Sequence, residues 1–274
     1  MIRDITIGQY YPANSPLHRL DPRVKIVCTL LYLISLFLFH SVLGYVVATV
    51  FLFGTIKLSK VPFRYIVKGL KPIIMLLMIT VVFNLFLTRT GETLVQVWFL
   101  RVTDDGLRTA VYMAIRLIYL ILGSSLMTFT TTPNALTDGI ESLLKPLNKI
   151  KVPVHDIAMM MSIALRFIPI LLEETDKIMK AQIARGADLE SGNIIQKAKS
   201  MVPILVPLFV SAFRRANDLA MAMEARCYRG GDGRTKMKPL VYKKRDYVAY
   251  AVTIGYMVLA VLVGRFVPFQ VWIF

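Results

Sequence analysis

Catalytic apparatus is what this sequence has least of. There is no G-x-x-x-x-G-K-[ST] loop to cradle phosphates, and the nearest approach, GGDGRT from Gly230 to Thr235, lacks the lysine and a preceding strand. The three histidines, His18, His40 and His155, stand apart without an H-E-x-x-H pattern or a carboxylate at ligand spacing, so no metal site is indicated. No serine lies in a G-x-S-x-G turn. The two cysteines, Cys28 in an apolar run and Cys227 near a basic loop, imply neither a disulfide framework nor a metal site. The opening stretch MIRDITIGQYYPANSPLHRLDPR has no short apolar core and no small-residue cleavage site, which argues against a removable signal peptide. Acidic residues are few: 17 Asp+Glu face 33 Lys+Arg, a formal net charge of +16. In a soluble chain that excess suggests nucleic acid.

What the chain has in abundance is apolar surface. It is 56% hydrophobic with a mean hydropathy of +0.59, above the soluble range, so a membrane protein is expected and no nucleic-acid partner is. The positive excess then marks cytoplasmic loops. From Ile26 to Ile56 no Asp, Glu, Lys or Arg occurs, a run of 31 residues. One helix of that length would be about 47 Å long at ~1.5 Å per residue, too long for a hydrocarbon core of ~30 Å. Two short spans turning near His40-Ser41 are expected instead. Both flanks are basic, with Arg19, Arg23 and Lys25 before the run and Lys57, Lys60, Arg64, Lys68 and Lys71 after it, which puts both on the cytoplasmic side.

The basic stretch KLSKVPFRYIVKGLK reads as an amphipathic segment along the inner interface. A third span is expected over Pro72 to Thr88. The loop from Arg89 to Gly106 has two basic and three acidic residues, which suits the outer side. A fourth span covers Leu107 to Thr131, interrupted by Arg116, and Thr132 with Pro133 signals a new helix. The last span, Tyr247 to Gly264, is free of charge, and the apolar tail after Arg265 could re-enter the interface. The fold class is thus an all-α integral membrane protein of about five transmembrane helices plus a cytoplasmic domain of long helices. Its parts are residues 1–131 with four spans, 132–245 as the cytoplasmic domain, and 246–274 with the last span.

Between Thr132 and Arg245 lie 19 basic and 11 acidic residues with helical periodicity throughout. Two long helices share a plan there: an apolar stretch with proline, then a charged stretch, then Ala-Arg-small. Their apolar runs, Ala158 to Ile170 broken by Arg166 and Met201 to Phe213, fall short of the ~18 uncharged residues of a span. Half of the 14 methionines, namely Met159, Met160, Met161, Met179, Met201, Met221 and Met223, sit on these helices. Unbranched thioethers repack against different surfaces, and ordinary filling between the two helices is an equal reading.

Arg116 is costly in lipid and should face protein or water in a structural role, with Asn84 as a partner at similar depth. Arg185 has a simple reading as a cation in the last turn of a helix that Gly186 terminates. At the second copy Cys227 stands where glycine would, so the stop is expected to move to Gly230-Gly231 while Arg226 is kept. A guanidinium at a helix tip between small residues suits a partner's carboxylates or carbonyls.

On SPLHRLDPRVK (Ser15 to Lys25), DGLRTAVYMAIRL, TTTPNALTDGIESLLKPL, ALRFIPILLEETDKIMKAQIARG and the second Ala-Arg-x, the chain resembles the T component of energy-coupling factor transporters, the family that includes the cobalt-transport permease subunits. The resemblance implies an importer subunit without catalytic residues or cofactor of its own, ATP and Mg being bound by partner chains. It implies docking on two ABC ATPase subunits through Ala184-Arg185-Gly186 and Ala225-Arg226-Cys227. It also implies contact with a small integral-membrane substrate-binding subunit, the S component, for uptake of a vitamin or metal micronutrient across a prokaryotic cell membrane. The methionine-bearing faces of the two helices are the expected contact with that subunit. The competing readings are a conventional ABC permease subunit, which would show one short coupling helix, and a membrane scaffold without transport coupling. An intramembrane enzyme ranks last.

Overall fold

The computed structural model describes residues 10–39, 41–70, 73–87, 93–97, 100–187, 193–230 and 237–266. It is an all-α membrane protein with one small hairpin. By length and composition, four described helices can cross a membrane: Val42–Ser59, Asp104–Thr130, Val154–Ala184 and Lys244–Gly264. Ile74–Phe86 is a shorter apolar helix. The chain separates into two compact units, residues 8–139 with 240–274, and residues 140–239 with 1–7.

In the larger unit, α1 (Pro22–Leu38) and α2 (Val42–Ser59) divide the long uncharged run. Asp21 caps α1 by accepting from Arg23 N with Pro22 at the first position, and Ser41 caps α2 by accepting from Gly44 N. His40 lies outside the described residues. Helix α2 carries Lys57 in its last turn and ends on left-handed Lys60. The basic stretch that follows forms only the six-residue α3 (Phe63–Lys68) before α4 (Ile74–Leu87).

The expected outer loop holds a hairpin, β1 (Thr93–Val97) antiparallel to β2 (Leu100–Thr103), and α5 (Asp104–Thr130) begins at once after it. Thr103 caps α5 through Gly106 N, so this helix starts three residues earlier than expected. A Cβ on Gly106 would approach Leu85 O to 3.3 Å, so glycine permits α5 to enter close against α4. Thr132 then accepts from Ala135 N at the start of α6 (Pro133–Leu144), as its sequence signals.

Helix α9 (Lys244–Phe266) packs with α1 and α2. Tyr32, Phe51 and Tyr256 stack in the centre, with Phe51 and Tyr256 centroids 4.2 Å apart, and Ser35 Oγ lies 2.9 Å from Tyr256 Oη. Positions 267–274, on which the re-entrant tail reading rests, lie outside the described residues, as do Arg89 and all of GGDGRT after Gly230.

Arg116 is buried, and its Nε donates to Tyr45 Oη at 3.1 Å while its guanidinium carbon sits 5.4 Å from the Phe37 ring centroid. Asn84 is not its partner. The Asn84 amide turns back along its own helix and donates to Thr80 O at 2.8 Å. The correction has a simple cause, since a tyrosine hydroxyl on a neighbouring helix satisfies a buried cation as well as an amide does.

The smaller unit is built on α7 (Val154–Ala184) and α8 (Ile194–Ala225). Helix α7 runs unbroken through Arg166 and Pro169, so its apolar half is longer than the uncharged segment beside the arginine suggests. Hence it meets the length and composition of a span, although the sequence had set it apart. Glu141 pairs with His155 Nδ1 at 2.9 Å near its start.

Candidate functional site

Helices α7 and α8 are 31 and 32 residues, about 46 and 48 Å at ~1.5 Å per residue. They pack antiparallel. Gln182 Nε2 near the end of α7 donates to Pro203 O near the start of α8, and Glu174 pairs with Arg215 at 3.4 Å. Arg226 follows Pro203 by 23 residues, roughly 35 Å of helix. The two Ala-Arg tips therefore sit at opposite ends of the hairpin.

The tips share one geometry. Arg185 caps the C-terminus of α7 (φ −86°, ψ 4°), Gly186 follows with φ +86°, Gly186 N donates to Ile183 O at 2.9 Å, and Ala187 N donates to Gln182 O at 3.0 Å. Arg226 occupies the same place on α8 (φ −95°, ψ 17°), Cys227 follows with φ +55°, Cys227 N donates to Glu224 O at 2.8 Å, and Tyr228 N donates to Met223 O at 3.0 Å. Both pairs are the two bonds of a Schellman ending. The expectation of a delayed stop is thus corrected: the cap persists at the second tip, with cysteine forced into the conformation that glycine adopts freely.

Ala184, Arg185, Gly186, Ala225, Arg226 and Cys227 are all exposed. Among the described residues neither guanidinium has an ion-pair partner. Each arginine is thus a solvated cation on a fixed helix end, with small neighbours that leave its flanks open.

Of the methionines, Met160, Met161, Met201 and Met221 are exposed, and Met159, Met179 and Met223 are half-buried. They are a minor part of a larger apolar surface. On α8, Met201, Leu205, Phe209 and Phe213 recur every four residues, with Phe209 61% and Phe213 69% exposed. Val202, Val206 and Val210 form an adjoining exposed row. Spacing of four puts each row on one helix face, and so much contiguous apolar surface on charged helices marks an interaction surface. The sequence carries this signal in the four-residue spacing of leucine, valine and phenylalanine and not in methionine alone.

The family model for the cobalt transport protein CbiQ matches residues 13–237. The chain belongs to this family. Its relatives include the energy-coupling factor transporter transmembrane protein EcfT of Clostridium kluyveri, 62% identical over 91% of this chain and 93% of that one. The protein of the same name from Bacillus subtilis is 48% identical over 96% of this chain and 98% of that one. As a CbiQ family member the chain is a multi-pass membrane component of transport, and the all-α fold with its apolar helices fits that class.

The larger unit also holds a polar cluster whose parts lie far apart in sequence. Asp246, 1% exposed near the start of α9, accepts from Asp21 N at 3.0 Å and from Lys243 N at 2.7 Å. Lys25, also buried, donates from Nζ to Thr130 O at 2.7 Å and to His18 O at 3.3 Å. The Asp21 carboxylate binds the Arg23 guanidinium at 2.9 Å, and that cation lies 4.0 Å from the Tyr242 ring centroid. Burial works to raise the Asp21 carboxyl, but hydrogen bonds from the Arg23 side chain and backbone, with its charge, hold it below the usual range.

His18 Nε2 faces Tyr11 O at 2.9 Å and its Nδ1 faces Ser15 Oγ at 2.7 Å. A carbonyl only accepts, so Nε2 carries the proton and neutral Nδ1 takes the serine hydroxyl's. Burial and the nearby Lys25 charge hold its pKa below the ordinary value, against the pull of the Tyr11 carbonyl. SPLHRLDPRVK is therefore a fastening that joins the N-terminal segment, α1, α5 and α9. No group of three or more His, Cys, Asp or Glu able to hold a metal occurs among the described residues.

Proposed function

We propose that this chain is the energy-coupling subunit of an energy-coupling factor importer. Arg185 and Arg226 dock on two ABC ATPase subunits that bind ATP and Mg, and the chain passes their movement to an S component carrying a vitamin or a metal micronutrient. The observation that carries the reading is the pair of matched helix ends: the same backbone turn, the same exposed cation, on opposite ends of one antiparallel hairpin. Two like sites separated by roughly 35 Å of helix fit two like partners, and motion of those partners toward or away from each other acts on the hairpin from both ends.

The charged second half of α7, from Glu173 to Lys180, and its solvated arginine favour placing that part of the hairpin outside the hydrocarbon core. The rows Met201 to Phe213 on α8 and Ile157 to Met161 on α7 are the surface for the S component, with methionine adding adaptability to a chiefly Phe, Val and Leu contact. The test is co-purification of the complex from cells expressing the chain with its ATPases and S component. Phe209→Glu with Phe213→Glu should release the S component and keep the ATPases. Retention of the S component by that variant would rule out this surface.

A further inference from the structure

The larger unit has an open-sided cavity of about 430 Å³ that none of the coupling roles uses. That volume is within the roughly 300–1,000 Å³ of small-molecule sites. Its walls come from α1, α2, α5, α9 and the segment Pro16 to Leu20. Tyr32, Phe51 and Gly123 line one end, and Lys25, Thr130 and Arg245 line the other. Along the sides the lining is almost wholly apolar. Leu58, Val248 and Val252 belong to it and are 54%, 60% and 56% exposed, so the cavity opens sideways between α2 and α9.

An open-sided apolar slot in a membrane bundle meets lipid before it meets any other apolar molecule. Its charged end is specific about which lipid. Arg245 is exposed at that end, and Lys243 and Lys244 precede it at the start of α9. Lysines and arginines gathered beside a helix pair at the membrane surface attract anionic headgroups. Lys25 is satisfied by backbone carbonyls, which among the described residues that line the cavity leaves Arg245 as the cation free to meet a phosphate. We infer that the cavity holds one acyl chain of an anionic phospholipid, with the chain lying between α2 and α9 and the phosphate at Arg245.

The occupant completes a gap between helices whose polar ends are tied together by Asp21, Lys25 and Asp246. The slot thus makes the bundle responsive to the composition of the leaflet at its basic end.

The test is native mass spectrometry of the full-length protein, purified in mild detergent and supplied with phosphatidylglycerol or phosphatidylcholine. One phosphatidylglycerol should be retained per chain, in preference to phosphatidylcholine. Arg245→Gln, at an exposed position where folding is not at stake, should cut that preference roughly fivefold, the effect of one cation at a membrane surface. Ala249→Phe, which fills the slot from α9, should abolish retention while the melting profile shows the chain folded. Equal retention of both lipids, retention of detergent or free fatty acid alone, or stoichiometric phosphatidylglycerol unchanged in both variants would overturn the inference.

Discussion

Exchanging glycine at the two helix tips should change stability in opposite directions. Gly186 and Cys227 occupy the same position of the same turn, with φ +86° and +55°. An L-residue in the left-handed region costs roughly 1–2 kcal/mol, and glycine's wider freedom in the unfolded chain offsets about 0.4–1 kcal/mol of that. Gly186→Ala is a clean perturbation, because among the described residues a Cβ there meets no atom within 4 Å and the backbone conformation is what opposes it. The net effect is about 0.5–1 kcal/mol against the α7 ending for Gly186→Ala and in favour of the α8 ending for Cys227→Gly. Hydrogen exchange at the closing amides reads each end separately: Ala187 N at the first, Tyr228 N at the second. Local opening should become roughly two- to fivefold more frequent at Ala187 in the first variant and less frequent by a similar factor at Tyr228 in the second. Equal signs at the two tips, or no change at either, would refute the claim that both endings are one motif held under different strain.

Tyr45→Phe removes the acceptor of Arg116 Nε inside the bundle and should destabilise the larger unit by about 1–3 kcal/mol, read as a lower melting midpoint in detergent; an unchanged midpoint would show that Arg116 is satisfied elsewhere. Asp246→Ala leaves the buried Asp21 amide and the part-buried Lys243 amide without their acceptor and should cost roughly 2–4 kcal/mol, with Asp246→Asn milder because an amide oxygen still accepts. Stability should also fall with acid through His18. Its folded pKa lies below 6.5, so between the two values the unfolded chain binds the extra proton, and the contribution present above about pH 6.5 is lost as pH drops through the folded value. A melting series from pH 7.5 to 5 should show this loss in the wild type and a smaller one in His18→Asn; equal slopes would remove His18 as the cause.

Much of the membrane part was legible because charge and length constrain it strongly. An uncharged run too long for one span had to fold back, and Ser41 marks where α2 begins. Thr132 and Pro133 announced α6 in the same local way. What was hidden depends on contacts distant in sequence or on exceptions to local rules. Asp21 and Asp246 meet across 225 intervening steps of chain, and no periodicity points one at the other. Tyr45 rather than Asn84 serves Arg116, a choice made by helix packing. The β1–β2 hairpin is too short to announce itself against its apolar surroundings. The apolar run of α7 looks too short for a span because Arg166 divides it, whereas the helix itself carries apolar residues on both sides of that one charge.

The arginine tips show both sides of this. Their repetition is visible in the sequence, and a cation presented twice fits two like partners. The cap at Cys227 was not visible, since left-handed backbone is expected of glycine or asparagine and only the observed φ reveals it. The structure makes the two tips more alike than the residues themselves suggested.

The central claim is that Arg185 and Arg226 couple the chain to two ATPases, and the most direct measurement is ATP-driven uptake by the reconstituted complex carrying Arg185→Ala and Arg226→Ala together. Truncating one partner of a charged interface contact costs roughly 2–5 kcal/mol, so each site should weaken ATPase association by about 30-fold or more. Uptake should be abolished while the melting profile of the chain stays unchanged. Uptake at the wild-type rate with the ATPases still bound would contradict the account.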